Sequence, residues 1–118
     1  MPDTSSPLTE QQRRALQVLG HLYLRMGHFD RVRKLTQALL ALNPGDVWAR
    51  RCLAVALLKE GDAERALEQL DGLLTGGPLP SRDAALYLIK AQALWQTGRA
   101  DEARNAMNAY IAAGGKPL

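Results

Sequence analysis

The sequence predicts an all-α chain built from three helix–turn–helix units that stack in series. Three observations carry that expectation. Gly27 and Gly61 lie 34 residues apart, and so do Pro44 and Pro78. Between these breakers, apolar residues recur at helical spacing, three or four positions apart. Finally, hydrophobic residues make up 47% of the 118 residues but aromatics only 5%, with the apolar weight in Leu and Ala. That balance favours helix, since β-branched and aromatic residues are the strand formers.

The period extends through the chain. Leu19 and Leu53, Gly20 and Ala54, and Tyr23 and Leu57 are each 34 residues apart, while Gly98 follows Gly61 by 37. The surplus of three falls in Pro78-Leu79-Pro80-Ser81-Arg82-Asp83, where a loop absorbs it. A 34-residue helix–turn–helix is the period of the tetratricopeptide (TPR) repeat. The units are framed as 13–46, 47–80 and 84–117 within a domain over 9–113, forming a short right-handed superhelix with tails at 1–8 and 114–118. The eighth position is small in each unit (Gly20, Ala54, Ala91), as is the twentieth (Val32, Ala66, Ala103), so the paired helices can approach closely. The fourth, seventh and eleventh positions face the partner helix: Leu16, Leu19 and Tyr23; Arg50, Leu53 and Leu57; Tyr87, Lys90 and Leu94. Arg50 and Lys90 interrupt this apolar set, and their stems are expected to pack while their charged ends reach water.

Helices are predicted near 9–26, 29–42, 46–59, 63–75, 82–96 and 100–113. Thr9-Glu10-Gln11-Gln12 reads as a capping box that opens the first. Gly27, Gly61 and Gly98 stand where a helix stops in a left-handed residue. Asp30, Asp62 and Asp101 lie near the next helix starts, where a carboxylate offsets the helix dipole. Asn43-Pro44-Gly45-Asp46 closes the first unit and caps the second.

Composition narrows the function. Cys52 is the only cysteine, which removes a disulfide scaffold and suits a reducing compartment. No apolar run approaches the ~20 residues of a membrane span, and the first residues lack the basic-then-apolar order of a signal peptide. The net charge is +3, with eight basic and four acidic residues in 1–51 against seven and eight in 52–118. A basic half can serve nucleic acid or an acidic partner; the plainer reading is a solvated helix face.

Catalytic, cofactor and metal sites are not expected. His21 and His28 are seven residues apart with a helix end between them and no acid or cysteine to complete a metal set. Cys52 sits beside Arg50 and Arg51, which could lower a thiol pKa, although a buried small hydrophobe is the commoner role. Thr75-Gly76-Gly77-Pro78 lacks the Lys-Ser/Thr of a phosphate loop and reads as a helix exit. Glu60, Asp62, Glu64, Glu68 and Asp71 show no acid–base spacing.

Surface is what remains. In stacked TPR units the first helices line a concave groove, and their second, fifth, ninth, twelfth and thirteenth positions face it. These are Arg14, Gln17, His21, Leu24 and Arg25; Trp48, Arg51, Val55, Leu58 and Lys59; and Ala85, Leu88, Gln92, Trp95 and Gln96. Both tryptophans would thus line a partner-binding groove, the place where Trp and Arg most often anchor an interface. The alternative is that Trp48 and Trp95 pack within the array. Ala103, Ala106, Met107, Tyr110 and Ile111 give the last helix an apolar face with no capping helix following, so Met107, Tyr110 and Ile111 form a candidate exposed C-terminal face.

The stretch Ala38-Leu39-Leu40-Ala41-Leu42-Asn43-Pro44, with Arg50-Arg51-Cys52 and Val55-Ala56-Leu57-Leu58, resembles the small TPR chaperones of bacterial type III secretion, in particular the Y-type (YscY/PscY/SctY) group. The resemblance spans roughly Leu8 to Ala113. It implies a cytoplasmic, non-enzymatic chaperone that binds and stabilises a small secreted export component, the X-type (YscX/PscX-like) protein. It further implies that the pair engages the cytoplasmic domain of the export gate at the inner membrane. A chaperone for a needle or translocator subunit keeps the fold and changes the client. A nucleic-acid-binding helical domain using the basic first half is the third reading, although no nucleic-acid partner and no membrane insertion are expected.

Overall fold

A computed structural model describes residues 8–74 and 84–114. Residues 1–7 of the expected tail at 1–8, the helix exit at Thr75-Gly76-Gly77-Pro78, the surplus at 78–83 and residues 115–118 of the expected tail at 114–118 lie outside the described residues. Among the described residues the fold is all-α, with helices α1 (Glu10–Met26), α2 (Phe29–Leu42), α3 (Val47–Lys59), α4 (Ala63–Leu74), α5 (Ala85–Gln96) and α6 (Ala100–Ala112). Consecutive helices pack on one another, giving a body of 52 × 28 × 23 Å.

The helix ends follow from local chemistry. Thr9 accepts a bond from the Gln12 backbone N–H, and the Gln12 side chain accepts one from the Thr9 N–H, both at 3.0 Å. Asp46 caps α3 by accepting from the Ala49 N–H at 3.0 Å, and the Arg13 guanidinium lies 3.3 Å from the same carboxylate. That second contact ties α1 to the start of α3. The turns between paired helices close through left-handed glycines, with φ near 78° at Gly27 and Gly98 and 86° at Gly61. At Gly27 the chain then turns back as the His28 N–H donates to the Tyr23 carbonyl.

The largest core cluster joins Leu53, Leu57 and Leu58 of α3 to Ala66 and Leu67 of α4, Ala91 and Leu94 of α5 and Ala103 and Ala106 of α6. A second cluster seats Cys52 and Ala56 of α3 against Val32 of α2, with Leu24, Phe29 and Trp48 packed around it. Small residues set the spacing. A methyl added at Gly20 would come within 2.7 Å of Trp48 Cη2 and 3.2 Å of a Leu35 methyl.

One expectation is corrected. The Arg50 guanidinium does not simply reach water; it donates to Gln69 Oε1 at 2.9 Å and to the Pro44 carbonyl at 2.8 Å. Its position on the α4-facing side of α3 brings it to acceptors on both the loop and α4, so the charge is held instead of solvated. Lys90 is half-buried on α5.

The Gly20–Trp48 approach gives the first prediction. Gly20→Ala lowers unfolding free energy by about 1–3 kcal/mol, the usual cost of overpacking. Trp48→Phe, which removes the ring atoms in question, recovers part of that loss. Urea unfolding of the two single variants and the double variant measures both effects; a Gly20→Ala chain as stable as the parent would refute the contact.

Candidate partner-binding surface

The residues expected on the groove divide between two depressions. Arg14, Gln17 and His21 of α1 and Trp48 of α3 line a shallow hollow of about 500 Å³ together with Val18 and Leu22. Leu88, Gln92, Trp95 and Gln96 of α5 line a second, of about 420 Å³, whose other wall is α6 with Ala103, Arg104 and Met107. Between them Arg51 and Val55 are half-buried, while Arg25, Lys59 and Ala85 are exposed. Leu24 and Trp48 both lean on the Val32–Cys52–Ala56 cluster, so each is partly committed to packing between units. Trp95 is 71% exposed.

Leu58 is corrected. It is only 4% exposed and belongs to the main core, where α5 residues Ala91, Ala93 and Leu94 join it. The next unit's first helix lands on it, so it offers nothing to a partner. At the C-terminal end Met107 is 41% and Ile111 63% exposed, while Tyr110 is half-buried. Three exposed side chains of α1 were not anticipated: Val18 and Leu22, and Leu19, which was expected against the partner helix; all three occupy positions that pack inward in the later units. The signal was present in the repeat frame, because the first unit has no described helix before it to cover those positions.

Part of the basic surplus of the first half is paired with acids or an aromatic ring of the fold. Arg13 pairs with Asp46, Arg14 with Glu10 at 3.4 Å, and Arg33 with Glu60 at 2.9 Å. The Arg31 guanidinium carbon stands 5.6 Å from the Tyr23 ring centre, and Arg50 is bonded as above. Among the described residues no group of three or more His, Cys, Asp or Glu side chains could hold a metal ion. No described helix is long and apolar enough to cross a membrane. Cys52 is buried, and burial pushes its thiol pKa from 9.0 up to about 11, with the Asp46 charge adding to the rise and Arg51 opposing it. The neighbouring arginine therefore does not produce a reactive thiolate.

An arrangement of exposed apolar side chains on stacked helix pairs, without a metal cluster among the described residues or an activated thiol, is suited to holding another chain. The tetratricopeptide-repeat family profile matches residues 18–81 and 53–116. A chaperone protein, YscY of Yersinia enterocolitica, is 38% identical over 104 residues, which covers 88% of this chain and 89% of that relative. The chain belongs to the YscY family of tetratricopeptide-repeat chaperones. The chaperone protein YscY of Yersinia pestis matches to the same extent. The family expected from Ala38–Pro44 and Arg50-Arg51-Cys52 is thus the one found. A chaperone family on a repeat scaffold points to binding in place of catalysis.

The Cys52 environment is testable. In the folded chain at pH 8 the thiol reacts with iodoacetamide at least about a hundredfold more slowly than in urea, because a thiol pKa raised from 9.0 to about 11 cuts the thiolate fraction by about that factor and burial blocks approach. The sign for stability follows from the raised value. The contribution of the neutral thiol is complete below pH 9 and is lost as pH rises towards 11. Equal alkylation rates in the two states would contradict both statements.

Proposed function

We propose that this protein is a cytoplasmic chaperone of type III secretion that binds and stabilises a small secreted export component of the X type (YscX/PscX-like) and helps present it to the export gate at the inner membrane. The observation that carries the reading is the pair of open apolar hollows at opposite ends of the helix stack, at Val18, Leu22 and Trp48 and at Leu88, Trp95 and Met107. Contiguous apolar surface of this kind marks a protein-binding site. A client segment with little stability of its own gains helical order by laying an apolar face into such a hollow. Membership in the YscY chaperone family supports the same reading.

The partner-binding residues proposed are Arg14, Gln17, His21, Leu24, Arg25, Trp48, Arg51 and Val55 on the first two units, and Leu88, Gln92, Trp95, Met107, Tyr110 and Ile111 on the third. Binding to nucleic acid is disfavoured by the engagement of Arg13, Arg33 and Arg50 within the fold.

Co-expression with the X-type protein tests the reading. The expected outcome is a one-step co-purified complex in which the client stays soluble, with binding weakened by at least tenfold in a Trp48→Ala, Trp95→Ala double variant. A client that is equally soluble without this chain, or a double variant that binds it fully, refutes the reading. Recovery of a needle or translocator subunit in place of the X-type protein, identified by mass spectrometry from the native bacterium, would reassign the client.

A further inference from the structure

The two boundaries between units show what the array accepts, because each is already filled by a helix. In the frame of 34, the twelfth position is Leu24, Leu58 and Trp95, and the twenty-fourth is Thr36, Leu70 and Met107. At the first two boundaries these side chains are covered: Thr36 and Leu70 are fully buried, Leu58 nearly so, and Leu24 is partly buried under α3. At the third, Trp95 and Met107 stand open among the described residues, over a trough of about 420 Å³ floored by Ala91 and Ala103. This trough is therefore the same slot as the ones that α3 and α5 occupy, without its helix.

The occupants of the filled slots share a pattern. On α3 the inward stripe is Ala49, Cys52 and Ala56, and on α5 it is Leu86, Ile89 and Ala93. Both are i, i+3, i+7 with a small residue last. The first boundary adds a charge pair, since Arg33, at the twenty-first position, holds Glu60 at 2.9 Å, and Glu60 is i+11 in the α3 stripe. At the second boundary the twenty-first position is Leu67, which joins the core, and the i+11 position is Thr97, so those two positions form no pair; the charge pair there runs between Glu64 of α4 and Arg99, just after α5, at 3.0 Å. At the third the twenty-first position is again an arginine, Arg104, which is exposed on the wall of the trough and makes no ion pair with a described residue.

We propose that the α5–α6 trough takes one amphipathic helix of a partner protein, carrying apolar side chains at i and i+3, a small one at i+7 and a carboxylate at i+11, and that Arg104 selects that carboxylate as Arg33 selects Glu60. Charge decides against a second copy of this chain. The stripe that α1 would present is Ala15, Val18 and Leu22, and its i+11 residue is Met26, so Arg104 would meet no acid there. The inference rests on the chaperone reading only for the source of the helix; the slot itself rests on the equivalence of the three boundaries.

The probe is a synthetic 16-residue alanine-based helix with Leu, Ile, Ala and Glu at i, i+3, i+7 and i+11, and a twin with Lys in place of Glu. Anisotropy of the labelled peptides is measured against the intact chain, Arg104→Glu and Trp95→Ala. The Glu peptide binds the parent about fivefold more tightly than the Lys peptide, Arg104→Glu reverses the preference, and Trp95→Ala weakens both peptides. In a Trp48→Phe background, where Trp95 is the sole tryptophan, the emission of the free chain is that of a solvated indole and shifts to the blue on adding the Glu peptide. Equal affinities for the two peptides, a Trp95 already shielded in the free chain, or concentration-dependent growth of the free chain that shields Trp95 would each overturn the proposal. If the X-type client co-purifies while the peptides are not discriminated, the slot falls and the chaperone reading stands; if the peptides are discriminated while that client does not bind, the reading falls and the slot stands.

Discussion

The contact on which the rest of the structure depends is the seating of one unit's first helix across the two helices of the unit before it. A single helix pair has two apolar flanks and can bury only what its own members cover. Val32 and Thr36 go dry, and Leu24 is partly covered, because α3 brings Trp48, Cys52 and Ala56 onto them. Ala54, Leu58 and Leu70 go dry because α5 brings Leu86, Ile89 and Ala93. Stability in such an array is close to a sum of units and nearest-neighbour interfaces. The small residues at the eighth and twentieth positions are what allow the helices to approach closely enough for the seating to occur.

The same constraint produces the surface available for function. Among the described residues no further helix covers the outer flank of the first or last unit, and those flanks are apolar by the logic of the repeat. Val18 and Leu22 at one end and Trp95, Met107 and Ile111 at the other are exposed for this reason. They are the positions that pack inward elsewhere in the chain. Binding surface and packing surface are here the same kind of surface, distinguished only by whether the chain supplies the neighbour. That equivalence is the physical basis for the helical occupant proposed for the α5–α6 trough, since helices are what the internal slots hold.

Much of the fold was legible in the sequence because its signals are local. The capping box at Thr9 and Gln12, the left-handed turns at Gly27, Gly61 and Gly98, and the Asp46 cap each depend on a few adjacent residues. The site was less legible. Position rules placed Leu58 on the groove, but α5 lands on it. They assigned Arg50 to solvent, but Gln69 and the Pro44 carbonyl are within reach of its guanidinium. They read the basic residues of the first half as a solvated helix face, but Asp46 at the start of α3 and Glu60 at its end come to meet Arg13 and Arg33. Each difference involves a partner far away in the chain.

By itself the sequence determined the helix count, the turn positions and the family, since period, breakers and caps act over one or two helical turns. Only the tertiary structure decided which apolar side chains remain available. The twelfth position is apolar in every unit, yet Leu58 is lost to the core and Trp95 is open, and nothing in the residues themselves distinguishes the two cases. What separates them is whether another helix arrives on top, and that is a property of the stack.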